Sequence, residues 1–414
     1  MTRIPMRFLM APGRLRPAVL AVPALVLSAF APVPAPMEAQ TIPIGKDMSL
    51  AFHGFISATA FAQDQEFQFG NGQNAEWPEP PETTVDRWFG GADVRNTRLG
   101  LFFTGPKIST DWSVNATLEM DFFGGNNGTG AFAGQQPVPR LRLAFAELTN
   151  GSTTVQVGEQ WSLLWGNLPV SVTHLAFPLG WNSGGLIGWR YVGLFGKQQI
   201  TSKDAAVATD VQVAIMSGNW NGPESTTDLG TAGNASWPQF EARFDASGKF
   251  GEGSTWSAYL VGHIDEKDLS GAGVSEPNDK VTGSAVEIGA KFQLGDFLVQ
   301  GNAYSGHAIG QQFASINQFG RIQSDGGWAQ VGYEFTKHWG LYAFAGVDDP
   351  KDTDVVTAFG DAARLKNVMF AGMLRWRAGP FSAGVEYLHS RLTSGPEREE
   401  TNGQQISFSG LFNF

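Results

Sequence analysis

Five charged residues have the types and spacing of a wall that faces water. Arg98 lies in one alternating segment, Glu119 and Asp121 in the next, and Arg140 and Arg142 in a third. Residues two apart share one face of a strand, and neighbouring strands lie about 5 Å apart. The two acids are therefore expected to be flanked by arginines on both sides. Two chemistries fit this pattern. One is a cross-strand ladder of ion pairs that stiffens the wall. The other is a basic stripe with surplus positive charge that draws anions towards it. Arg190, Arg243, Arg375 and Arg377 would extend such a stripe, while Glu241, Asp245, Glu334 and Glu386 read as inward and oppose it. Counting alone leaves the sign of the field open.

Catalysis has little support. A nucleophile needs a base within reach, and the six histidines (His53, His174, His263, His307, His338 and His389) are scattered. His389 and Ser390 are adjacent, so on a strand they point to opposite sides. Histidine and carboxylate spacings match no metal motif. No catalytic residue, metal or cofactor is expected, and a net charge of −11 argues against nucleic acid as a partner.

The elements that hold these residues repeat with period two. Val114, Ala116, Leu118, Met120 and Phe122 alternate with Asn115, Thr117, Glu119 and Asp121, and Phe240, Ala242 and Phe244 with Glu241, Arg243 and Asp245. Sixteen such strands are expected, near 50–62, 94–104, 112–123, 139–149, 153–162, 188–200, 207–217, 238–249, 255–265, 283–294, 296–307, 326–336, 339–348, 367–377, 380–391 and 403–414. Long connections (63–93, 124–138, 163–187, 218–237, 266–282, 308–325, 349–366 and 392–402) alternate with short ones such as Gly295-Asp296. The tail puts Ile406, Phe408, Phe412 and Phe414 on one parity and Gln405, Ser407, Ser409 and Asn413 on the other. One greasy and one wet face, repeated around the chain, is what a closed barrel in a lipid bilayer requires. The expected fold is all-β: a transmembrane antiparallel β-barrel of about sixteen strands, with short periplasmic turns and long extracellular loops. That width leaves room for an aqueous channel. Trp112, Trp256, Trp328, Trp339, Tyr342 and Tyr387 are expected in an interfacial aromatic girdle.

Residues 1–39 read as a secretory signal peptide. Arg3, Arg7, Arg14 and Arg16 precede an apolar stretch, Ala18 to Ala31, that is too short to span a bilayer, and small residues lead to a cleavage site after Ala39. Residues 40–414 form the barrel domain, destined for the bacterial outer membrane and its lipid. Cysteine is absent, so there is neither a lipid anchor site nor a disulfide frame. The connection 163–187 is unusually apolar and contains no Asp or Glu. It is a candidate constriction folded into the barrel, and its lack of acids favours anionic solutes.

Three segments carry a family resemblance. They are Thr97-Arg98-Leu99-Gly100, then Leu118-Glu119-Met120-Asp121-Phe122-Phe123-Gly124, and then Arg140-Leu141-Arg142-Leu143-Ala144-Phe145 followed by Gly158-Glu159-Gln160-Trp161-Ser162. Together they resemble the DcaP-like outer-membrane porins, with Glu159 departing from that family's strand end. The resemblance implies a homotrimeric porin for small hydrophilic, dicarboxylate-like solutes, with Arg98, Arg140 and Arg142 lining the pore beside Glu119 and Asp121. A non-selective or phosphate-preferring porin, an outer-membrane enzyme and a structural barrel are the alternatives.

Overall fold

The computed structural model describes residues 41–68, 72–79, 88–125, 137–182, 185, 187–202, 205–217, 235–268, 280–310, 314–316 and 321–414. The expected signal segment and most of the connections 218–237 and 266–282 lie outside them.

Period-two alternation gives strands throughout. The chain runs β1 (Thr41–Gly45), β2 (Met48–Gln63), β3 (Phe89–Asp93), β4 (Arg98–Lys107), β5 (Ser113–Asp121) and β6 (Arg140–Thr149). It continues through β7 (Thr153–Trp161), β8 (Arg190–Gln199), β9 (Val207–Met216), β10 (Ala235–Lys249), β11 (Ser254–Asp268) and β12 (Lys280–Leu294). Then come β13 (Phe297–His307), β14 (Gln323–Tyr333), β15 (Trp339–Pro350), β16 (Arg364–Ala378), β17 (Phe381–Ser394) and β18 (Glu399–Asn413). A short helix, α1 (Asp352–Phe359), sits between β15 and β16.

From β4 to β18 each strand pairs antiparallel with the next. The circle closes where β18 pairs with β2, from Gln405 opposite Gln63 to Asn413 opposite Phe55, and β2 pairs in turn with β4. Sixteen strands thus form a closed barrel with no free edge, which is how every backbone group of a bilayer-spanning sheet is satisfied. At the seam Phe414 exchanges backbone hydrogen bonds with Gly54 (3.0 and 3.1 Å), and its ring stacks on Phe52.

Side chains sort by parity as the alternation predicts. Ile406 and Phe408 are exposed on the outer face, whereas Gln405, Ser407 and Ser409 are buried inside. On β10 Phe244 is exposed while Glu241, on the opposite parity, is buried. Two members of the expected girdle are misassigned. Trp328 and Tyr342 stand on the inward parity and pack in clusters within the barrel, Trp328 with Phe344 and Leu388, Tyr342 with Leu298 and Met373. A Trp at a strand end is girdle or lumen according to its parity. The last long connection is also shorter than expected, because β17 and β18 extend until only 395–398 joins them.

Two irregularities shape the wall near the charged residues. Thr59 pairs with Asp93 and Phe55 with Arg98, so four steps along β2 face five steps on the opposing segment. The surplus residue lies in 94–97, so the strand expected near 94–104 starts only at Arg98, and β3 forms separately within the expected connection 63–93. On β6, Glu119 faces Leu143 while Met120 faces Leu141, which leaves Arg142 as a bulge. Bulges re-aim side chains. Here the bulge keeps Arg142 inside with Arg140 and brings Glu147 inside as well, where it accepts from Asn115 Nδ2 at 3.0 Å.

Candidate functional site

The barrel interior is crossed by the connection between β7 and β8. Its apolar residues are buried: Leu164, Ile187, Val172, Leu179 and Trp181 are each at most 4% exposed. A segment with so few charged groups of its own still carries backbone polar groups, and those must be satisfied wherever it is buried. The wall supplies the partners. Leu163 N–H donates to Glu241 on β10. Gln300 on β13 donates to Leu168 O (2.9 Å), and Gln330 on β14 both accepts from Val170 N–H (2.7 Å) and donates to Val170 O (2.8 Å). Further along, Ser171 Oγ donates to Glu386 on β17 (2.7 Å), and the hydroxyl of Thr173 lies 2.8 and 2.9 Å from those of Ser407 and Ser409 on β18. Asn96, freed by the β3–β4 irregularity, donates to Thr173 O and accepts from Ala176 N–H at 3.0 Å. The loop therefore follows the inner wall from β10 round to β6, held at nearly every step.

Arginines take part in this hold. Arg98 donates to Leu175 O (3.1 Å) and Arg142 to Ala176 O (3.4 Å). Arg243 donates to Leu163 O (2.9 Å) and Trp165 O (3.3 Å).

The five charges on β4–β6 meet as one network. Arg140 grips Asp121 in a fork, Nε to Oδ1 at 3.0 Å and Nη2 to Oδ2 at 2.6 Å. Arg142 bridges both acids, reaching Glu119 and Asp121 at 2.7 Å each. Arg98 Nε lies 3.6 Å from Glu119. Forked, charge-assisted bonds of this kind are the strong ones, and Asp121, with no exposed side-chain surface, depends on them. Three guanidinium groups face two carboxylates, which leaves one positive charge in excess. The arginines differ in access: the side chain of Arg142 is only 3% exposed, those of Arg98 and Arg140 21% and 18%.

Arg190 joins this group in a different way. By parity it stands with Val192 and Leu194, which are exposed on the outer face, and not with the buried Tyr191 and Phe195. Its guanidinium is nevertheless buried over the rings of Trp161 (5.0 Å) and Trp189 (4.7 Å). Around it the loop gathers aromatics. Trp165 stacks on Trp161 at 3.6 Å, Trp181 tilts against Trp165 and Trp189, and Phe177 lies under Arg140 at 4.8 Å. Arg142 is 5.5 Å from the Trp161 ring. Ring faces attract guanidinium groups, so this aromatic cluster helps to hold the cations, with the charge of Glu159 on β7 acting on Arg190 and Arg140 as well. The high density of Trp between 161 and 189 was its signal in the sequence.

The remaining arginines lie elsewhere. Arg243 pairs with Asp245 (2.8 Å) beneath the start of the loop. Arg375 pairs with Glu334 and Tyr342, and Arg377 reaches the same Glu334 at 3.7 Å, both beside a short turn.

No family model and no curated protein matches the chain. Solved structures do. The outer-membrane channel DcaP of Acinetobacter baumannii aligns with a TM-score of 0.64 at 17% identity, covering 89% of this chain and 97% of that one. The fold is that of the outer-membrane porins. An anion-selective porin from Comamonas acidovorans aligns at 0.56 with 11% identity over 89% of this chain and all of that one. OmpF of Salmonella typhi, in complex with daunomycin, aligns at 0.56 with 12% identity over 91% of this chain and all of that one. The porin likeness agrees with the resemblance carried by the Glu119–Asp121 and Arg140–Arg142 segments.

Proposed function

We propose that this chain is an outer-membrane porin that lets small hydrophilic anions, dicarboxylate-like in chemistry, diffuse passively past the β4–β6 wall. The observation that carries this reading is the excess of arginine over carboxylate in the Arg98–Glu119–Asp121–Arg140–Arg142 network. A fixed positive charge beside a narrow aqueous path raises the local concentration of anions and repels cations. Because the connection between β7 and β8 has no acid in its sequence, the solute-facing charge is set by the wall. Arg98 and Arg140, the more accessible members, are the groups that meet the solute, with Arg142 holding both the acids and the loop. Arg375 and Arg377 add positive charge at the short-turn end, and Arg190 and Arg243 serve mainly to position the loop and its aromatics. Export by a signal peptide within 1–39, insertion in the outer membrane and assembly as a homotrimer complete the reading, and nothing in it requires an enzyme activity or a cofactor.

The test is the zero-current potential of the purified protein in a planar bilayer under a salt gradient. Conductance with anion preference is the expected result. Cation preference would retain the pore and remove the solute class, and no conductance would remove the pore.

A further inference from the structure

On the short-turn side of the loop, a cavity of about 470 Å³ opens between the β6–β10 wall and the Trp161–Trp165 stack. That volume falls in the range of clefts that hold small molecules, about 300–1,000 Å³. Its chemistry differs from that of the arginine network. Two cations reach it, but each is already matched, Lys197 by Asp210 (3.2 Å) and Arg243 by Asp245 (2.8 Å). With Glu147 the lining carries no excess of positive charge, so this compartment has no electrostatic reason to prefer anions.

What the cavity presents instead is a set of neutral hydrogen-bonding groups beside indole rings. Gln156 and Gln160 on β7 and Gln212 on β9 line it, and Thr154 and Ser162 add hydroxyls. Each amide is oriented by a bond within the wall: Gln156 Nε2 donates to Glu147 (2.9 Å), Gln212 Nε2 to Asp245 (2.8 Å), and Gln160 accepts from Trp161 N–H (2.8 Å). Each keeps a second N–H and a second lone pair to offer. The Ser162 hydroxyl is buried and has no protein partner, a cost that a bound polar group would relieve. Trp161 and Trp165 border the same space, and indole supplies an apolar surface with a polar edge. Alternating hydroxyls and C–H faces are the matching chemistry of a sugar ring.

We infer that this cavity is a subsite for the polyhydroxylated ring of a hexose-sized solute. It rests on the porin reading, since solute must enter the barrel to reach it. The ring can come from a neutral sugar or from a sugar acid. In the second case the carboxylate is left for the arginines next to Trp161, and the two regions act on one molecule.

The experiment measures block of the ion current through the purified full-length protein in planar bilayers, with glucose, glucuronate and succinate as separate probes. Both sugars are expected to reduce the current at lower concentration than succinate. Gln156→Leu combined with Ser162→Ala is expected to raise the half-blocking concentration of both sugars about tenfold, the scale of one or two lost hydrogen bonds, and to leave succinate unchanged. Equal block by all three probes, or sugar block indifferent to the substitutions, overturns the subsite. Glucuronate blocking better than glucose assigns the subsite to sugar acids, and equal sugars assign it to neutral ones. Failure of the anion reading shows separately, in the salt-gradient potential without sugar. If the double variant loses its heat-resistant folded band on a gel, Thr154→Val takes its place, and unchanged sugar block in that variant overturns the subsite.

Discussion

Glu386 on β17 joins its two carboxylate oxygens to one loop: Oε1 lies 2.6 Å from His174 Nδ1 and Oε2 accepts from Ser171 Oγ at 2.7 Å. At the other end of the loop Glu241 divides its oxygens between loop and wall, accepting from Leu163 N–H with one and lying 2.9 Å from His263 Nδ1 on β11 with the other. All four ionisable groups are buried. Wall carboxylates thus replace the acids that the loop lacks. Removing a buried acceptor strands its donors at about 1–3 kcal/mol. Glu386→Ala is therefore expected to undock the Ser171–His174 stretch while the sixteen-strand pairing survives. Single-channel recordings check this, as larger and noisier conductance than wild type together with an intact heat-resistant band on a gel. Unaltered conductance would show that this anchor does not set the width of the path.

The charge network gives a second expectation. Replacing both Arg140 and Arg142 by Ala leaves Asp121, which has no exposed side-chain surface, without its forked partner. Breaking a buried pair from one side costs about 3–5 kcal/mol, so this variant is expected to be less stable as well as less anion-preferring. Adding Asp121→Asn to it removes the stranded charge and should recover most of the stability. Selectivity in that triple variant, read from the zero-current potential, should stay shifted towards cations relative to wild type, since two positive charges leave against one negative. Unchanged selectivity would mean that Arg98 alone, or the distant Arg375 and Arg377, sets the field.

Much of this barrel is legible in its alternation. Phe240, Phe244, Ile406 and Phe408 fall outside and Glu241, Ser407 and Ser409 inside because lipid and water impose one rule on every strand. The meeting of Arg98, Arg140 and Arg142 with Glu119 and Asp121 follows from the same parity once neighbouring strands are paired. The anchors of the loop were not legible. His174 and Glu386 are 212 residues apart, and no period links them. Trp328 and Tyr342 read as girdle residues because the sequence gives an aromatic no label for inside or outside when the lumen is itself packed. Arg190 shows the reverse case, where parity predicts one face and local aromatics decide the contacts.

A pH dependence is built into the first long connection. Glu76 is buried, and burial pushes its carboxyl well above the usual range, against the pull of a hydrogen bond from Asn182 (3.0 Å) and the charge of Arg364. With the loop docked the group holds its proton more tightly than it would in water. Docking is therefore strongest below the ordinary glutamate value of 4.5 and weakens as pH rises from there through the raised value. The chain has no cysteine, so Gln68→Cys can carry a spin label without competition. Label mobility is expected to increase with pH in the otherwise native protein and to stay flat in Glu76→Gln. A flat response in both would disconnect Glu76 from the docking of this loop.

Trp165 tests whether the aromatic cluster divides the interior. It is the member drawn from the loop that stacks on the wall residue Trp161, and its neighbours include Trp181 and the backbone bond that Arg243 makes to its carbonyl. It also borders the cavity on the short-turn side. Truncating a packed Trp to Ala costs about 3–5 kcal/mol, partly because the neighbours cannot close the space left behind. The arginine contact survives the change, since it is made to the main chain. Trp165→Ala is thus expected to lower stability by about that amount and to join the cavity to the space above it. Two readouts check this: the midpoint of thermal loss of the folded gel band, which should fall, and single-channel conductance, which should rise with anion preference retained because Arg98, Arg140 and Arg142 are untouched. A fall in stability without any change in conductance would assign the stack a structural part only.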